Sequence, residues 1–161
     1  MVADIIEVTV GWIHILSALF WLGGMIYFEL ILRPSLSGVS PEEIQKINQG
    51  IGKRFGPLAW LAIAVIAITG TIRTVQQSTL SGIDALLDMS DMTLNLKVAI
   101  FIVMVIIGGV SYFTIQKLPK AKSREEALEI QKRLVLLVRS NIILGIIVLF
   151  LAVGLREGGL I

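Results

Sequence analysis

The stretch MTLNLKVAIFIVMVIIGGVSYFTI, residues 92–115, carries one charged side chain, Lys97, in a run otherwise apolar, small or uncharged. At ~1.5 Å per helical residue it exceeds the roughly 30 Å of bilayer hydrocarbon, so it reads as a membrane-spanning helix. Three more stretches qualify on the same grounds: about 5–32, 57–75 and 134–155. The whole composition agrees. Of 161 residues 55% are hydrophobic and 16% charged, against about a quarter charged in an ordinary soluble domain. The sequence therefore predicts an all-α integral membrane protein: one domain, 1–161, folded as an antiparallel bundle of four transmembrane helices in the lipid bilayer.

The loops set an expected direction. The first connection carries Arg33, Lys46, Lys53 and Arg54; the third carries Lys117, Lys120, Lys122, Arg124, Lys132 and Arg133. The second holds Asp84, Asp88 and Asp91 with no basic residue between Gln76 and Leu96, and the N-terminus is acidic through Asp4 and Glu7. Basic loops stay on the cytoplasmic side, which predicts a cell (inner) membrane protein with both termini and the second loop outside. The opening residues lack a basic n-region, so the first span is expected to be retained. Ser40-Pro41-Glu42-Glu43 reads as a capping box with proline at the first helical position. It opens a short amphipathic helix, about 41–55, expected to lie on the inner membrane surface. Ser123-Arg124-Glu125-Glu126 is a second box, opening a helix that runs into the fourth span. Ser81-Gly82-Ile83-Asp84 starts a short outer helix.

Several function classes fall away. Cysteine is absent, which removes disulfides, thiolate metal sites and Cys-ligated iron–sulfur clusters. A net charge of +2 is too slight for a nucleic-acid partner. Walker and Rossmann glycine patterns are missing.

Ionisable groups inside the spans are costly and by default face the protein interior. They fall into two layers. One comprises His14, Arg73 and Lys97, from three helices. His14 lies roughly 13 Å into the first span, on a face with Ser17, Ala18, Trp21 and Met25. Arg73 shares a face with Thr69, Ile66, Ala62 and Ala59, and Lys97 with Phe101, Met104, Gly108 and Ser111. The other layer comprises Glu29, Arg33, Arg139 and Asn141. Here an ion pair of Glu29 with Arg139 is expected, with a proton path through Glu29 as the functional alternative, and Asn141 as an interhelical hydrogen bond. Gly23-Gly24 and Gly108-Gly109 allow helices to approach closely.

Two ligands suit such a site. Haem b takes an axial imidazole, which His14 supplies; Arg73 and Lys97 anchor its propionates, and the sixth position is filled by Met104 or Lys97 or left open. Copper is the alternative: Met89 and Met92 form a Met-x-x-Met pair of soft donors, with His14, Met25 and Met104 along the path. Asp91 beside them equally suits a helix N-cap.

The first span, WIHILSALFWLGGMIYFELILRP with His14, Trp21, Gly23, Gly24 and Tyr27, resembles the opening helix of two membrane families. One is the CopD-like copper resistance family, the other the HemJ family of protoporphyrinogen oxidases. Thr69-Gly70, Leu96-Lys97 and the closing RLVLLVRSNIILGIIVLFLAVGL resemble CopD more. The HemJ resemblance implies haem ligation by His14 and a ligand or substrate role for Lys97. The CopD resemblance implies copper movement across the inner membrane. Glu29-Leu30 stand where HemJ-like chains carry an arginine, and Asn141 where CopD-like chains carry an acid. The favoured expectation is a haem-b redox protein, working alone, with a redox partner or in a larger complex. Copper handling comes second and a structural accessory subunit third; a homodimer is compatible with all three.

Overall fold

The structure, a computed structural model, describes residues 2–77 and 92–154. Met89, Asp84, Asp88, Asp91 and the expected outer helix lie outside the described residues. Four helices are long and apolar enough to cross a membrane, and no strand occurs among the described residues. The chain is an all-helical, multi-pass membrane protein. It divides into two compact units, residues 1–89 and 90–161, each contributing one pair of spans.

The first unit pairs α1 (Val2–Tyr27) with α3 (Pro41–Gln77). The contacts run antiparallel: Gly11 faces Arg73, His14 faces Thr69 and Gly70, and Gly24 faces Phe55. Between these points lies the core of the pair: Trp21, Leu22 and Met25 from α1 against Ala59, Ala62, Ile63 and Ile66 from α3. Large residues on one helix against mostly smaller ones on the other bring the axes close. The opposite faces, including Trp12, Leu16, Leu19, Leu61 and Ile68, are exposed, as lipid-facing side chains must be.

Two features of this unit depart from the sequence reading. The surface helix expected over 41–55 is not separate: α3 is one helix of 37 residues that passes through Pro57. Proline removes the amide that would bond the Lys53 carbonyl, but Gly56 before it has no Cβ to clash with the ring. Phe55 also lies across Gly24, with its ring centroid 5.7 Å from that of Phe20. That contact ties the turn before Pro57 to α1 and keeps the segment in line. At ~1.5 Å per residue α3 is about 55 Å long and outruns the hydrocarbon by several turns.

The second departure follows α1. A π-helical turn, Phe28–Leu32, joins it to the short α2 (Arg33–Ser35), with the Arg33 amide donating to the Phe28 carbonyl. Pro34 cannot donate, and widened turns of this kind absorb such a missing bond. Val39 N–H then donates to the Leu36 carbonyl at 3.1 Å, closing a turn in which Gly38 has φ +92°. A left-handed backbone there calls for glycine.

The second unit pairs α4 (Met92–Ile115) with α5 (Arg124–Gly154), joined through a 3-10 turn at Leu118–Lys120. Both expected helix starts are made. The Ser40 hydroxyl accepts from the Glu43 amide at 3.4 Å and donates to its carboxylate at 2.8 Å. Ser123 accepts from the Glu126 amide at 3.1 Å, while the Glu126 carboxylate accepts from the Lys122 amide at 2.7 Å. With this start α5 runs unbroken to Gly154.

Candidate functional site

In α1 the helical repeat places Gly11, His14, Ala18, Trp21 and Met25 along one side, and α3 covers it. On α3 the matching stripe is Arg73, Thr69, Ile66, Ala62 and Ala59. All of the latter four are buried, and Arg73 is half-buried. The polar members of the two stripes therefore meet. His14 Nδ1 lies 2.8 Å from Thr69 Oγ1. Thr69 Oγ1 in turn lies 2.5 Å from the Val65 carbonyl and 3.3 Å from that of Ile66.

One proton decides how this chain of contacts is wired. A hydroxyl has a single hydrogen to donate and lone pairs to accept with. A carbonyl can only accept, so the 2.5 Å contact requires the Thr69 hydrogen to point at Val65. Were the hydroxyl to donate to His14 instead, two bare oxygens would face each other at that distance. Thr69 Oγ1 thus accepts from His14 Nδ1–H. In the neutral ring this leaves the lone pair on Nε2. A threonine in this position holds the imidazole in one orientation. The sequence reading placed Thr69 on the Arg73 stripe and in the Thr69-Gly70 pair, without a role toward His14. Its position four before Arg73 was the available signal.

Glycine completes the layer. A methyl group on Gly11 would collide with Arg73 Nη1, and one on Gly70 would touch the His14 ring, 3.4 Å from Cε1. The guanidinium lies across α1 at Gly11, three residues or ~4.5 Å along the helix from His14. His14 and Arg73, predicted from sequence as partners in a site, occupy adjoining turns of one unit. Lys97 and Met104 stand on α4 in the second unit, Lys97 half-buried and Met104 4% exposed.

The Met104 carbonyl accepts from Asn141 Nδ2 at 3.2 Å, the interhelical bond expected of Asn141. Asn141 is 3% exposed, and its Oδ1 finds no hydrogen-bond partner. Met92, at the start of α4, is 71% exposed. Among the described residues no three His, Cys, Asp or Glu side chains gather into a metal cluster.

At the other end of the first unit, Glu29 sits in the π turn, buried, with both carboxylate oxygens within 3.1–3.2 Å of Arg33 Nη1. The pair is an i,i+4 contact on one helical path, and Arg33 reaches solvent. Glu29 thus has an ion-pair partner on its own helical path. Arg139, the partner expected from sequence, belongs to α5.

Elsewhere buried and half-buried hydroxyls turn back onto their own helices. Ser111 donates to Ile107 at 2.8 Å, Thr114 to Val110 at 2.6 Å and Thr74 to Gly70 at 3.0 Å. Such bonds satisfy a polar group in lipid without a partner helix. Thr69 differs because its oxygen also serves a second side chain.

Comparison with known proteins adds the family. An uncharacterized protein of Aquifex aeolicus (strain VF5) is 32% identical over 63 residues, 38% of this chain and 43% of that protein. The chain thus matches less than half the length of that relative. No solved structure matches. Residues 49–155 of the 161 match the family described as Copper resistance protein D, CopD. That stretch holds α4, α5 and most of α3, and its family is described by copper and not by haem. The chain belongs to the CopD family.

Proposed function

We propose that this protein handles copper within the membrane, taking it up at the acidic, methionine-bearing second loop and passing it to the His14 layer. The family match over residues 49–155 carries this reading. The chemistry of the chain is consistent with it. Thioethers suit copper(I) and imidazole suits either oxidation state. Met92 is exposed at the head of α4, and Met89 lies three residues before it in the sequence. His14 supplies an imidazole, held through Nδ1 by Thr69. The charge asymmetry of the loops supports a cytoplasmic position for the basic connections, with the Met89–Met92 loop outside. Haem b, the first expectation from sequence, gains no support from the family.

The test is copper accumulation by cells expressing the intact chain, with the purified protein analysed for metal and by absorption. Expression should raise cell copper, His14→Ala should abolish the rise, and Met89→Leu with Met92→Leu should slow it at low external copper. A purified protein free of copper but showing Soret, α and β bands that vanish in His14→Ala would replace copper by haem. Wild-type accumulation in His14→Ala would remove His14 from the path.

A further inference from the structure

We infer that the basic turn between α4 and α5, carrying Lys117, Lys120, Lys122 and Arg124, binds the headgroup of an anionic phospholipid. The site belongs to the second unit alone and stands whether or not the protein handles copper.

The charge of this turn is free. All four side chains are exposed, and among the described residues none pairs with a carboxylate. The two nearest acids leave them so. The Glu126 carboxylate accepts from the Lys122 amide at 2.7 Å as part of the helix start, and the exposed Glu125 makes no ion pair. Four cations within eight residues directly after a membrane span reach the density at which basic segments hold anionic lipid.

The backbone that carries these charges is already folded. Lys117 N–H donates to the Thr114 carbonyl at 3.1 Å, Lys120 N–H to that of Lys117 at 3.0 Å and Ala121 N–H to that of Leu118 at 3.3 Å. The capping bonds of Ser123 and Glu126 then start α5 at once. A headgroup arriving here has side chains to order but no loop, which lowers the entropy lost on binding.

Depth selects lipid as the source of the anion. At ~1.5 Å per residue α4 is about 36 Å long, slightly more than the hydrocarbon layer, and it ends at Ile115. Its last turns carry Tyr112 and Phe113, both exposed, with ring centroids 5.6 Å apart and the rings edge-on. Exposed aromatic rings at the end of a span mark the headgroup level, and Lys117 follows Phe113 by four residues. The other helix agrees. Nine residues toward the turn from the bond between Asn141 and Met104 stand Lys132 on α5 and Phe113 on α4. The exposed Lys132 and its neighbour Arg133 thus lie at the depth of the aromatic pair. A phosphate ester of the same leaflet is confined beside these cations, whereas a dissolved anion meets them only from screened bulk water.

The experiment uses the full chain in phosphatidylcholine nanodiscs. Because the chain has no cysteine, Ile115→Cys at an exposed position carries a single fluorescent label two residues before Lys117. Brominated phosphatidylglycerol and brominated phosphatidylcholine are titrated in parallel as quenchers. The midpoint for the anionic lipid should lie roughly fivefold or more below that for the zwitterionic one. Lys117→Gln with Lys120→Gln and Lys122→Gln should bring the midpoints together, and the corresponding arginine triple should keep them apart. Removing the same charge from α3, by Lys46→Gln, Lys53→Gln and Arg54→Gln, should leave the preference in place. Added salt should narrow it. Equal midpoints in the wild type, or a preference that survives the glutamine triple in the turn, would overturn the inference. An equal loss in the α3 triple would also overturn it, by making net charge the cause. So would relief of quenching by inorganic phosphate beyond that given by chloride at the same ionic strength, since the ligand would then be a dissolved anion.

Discussion

In the first hairpin two side chains meet across the helices, His14 Nδ1 and Thr69 Oγ1 at 2.8 Å. In the second a side chain meets the main chain, Asn141 Nδ2 and the Met104 carbonyl at 3.2 Å. Both bonds join a helix pair inside the membrane, but they constrain different things. A carbonyl is available at every position, so the Asn141 bond sets how α4 and α5 sit against each other and asks nothing of the Met104 side chain. The His14 bond needs a hydroxyl at position 69 and fixes which imidazole nitrogen carries the proton. One contact constrains packing alone; the other also orients an imidazole. The family match covers both helices of the second hairpin but begins at residue 49, after α1 has ended. The histidine must therefore be tested on its own account.

The glycine pairs separate the hairpins most sharply. A side chain on Gly24 must displace the Phe55 ring, which is held against Phe20, whereas one on Gly23, Gly108 or Gly109 meets no described atom within 4 Å. Gly24→Val should cost about 2–3 kcal/mol by overpacking. Gly108→Val should be close to neutral. Reversible unfolding in mixed micelles measures both, and equal costs would remove the distinction between a tightly stacked first hairpin and an open second one.

Thr69→Val comes next. It keeps the shape but removes the acceptor for Nδ1–H, costing about 1 kcal/mol of stability. If His14 is a ligand, copper affinity should fall about 10- to 100-fold, as on loss of other outer supports of ligating histidines. Thr69→Ser should restore much of it. Unchanged affinity in Thr69→Val would reduce the His14 contact to packing, like that of Asn141.

The smallest effect is expected at Asn141. Leucine there loses the bond to Met104 but also removes Oδ1, a buried acceptor without a partner. Hydrogen bonds between membrane helices average only about 0.6 kcal/mol, so Asn141→Leu should change stability by less than ~1 kcal/mol. A larger loss, or a loss of copper transport with stability intact, would give Asn141 a role beyond packing and narrow the contrast.

Hydropathy made the membrane helices legible, because only a hydrogen-bonded helix can carry so many apolar residues through lipid. The two capping boxes were legible for a local reason: Ser and Glu three residues apart satisfy each other's turn whatever lies around them. The stripe of His14, Trp21 and Met25 was legible from the helical repeat. The site itself was only half legible. Helical spacing placed His14 and Arg73 each on a covered face, yet Thr69 and Gly11, which orient them, look unremarkable in sequence because hydroxyls and glycines are common in membrane helices. Arg33 stood four residues after Glu29 and was available as a partner, a pairing the sequence reading did not name.

The amino-acid sequence alone determined the solvent this protein folds in, its number of spans and the covered faces of its helices, since these follow from hydrophobic content and the 3.6-residue repeat. Only the tertiary structure decided that α3 continues through Pro57, that Gly24 is filled by Phe55 and that the imidazole of His14 is held by Thr69. Each of these depends on a contact between residues more than thirty positions apart, and no local rule specifies which distant side chain will supply it.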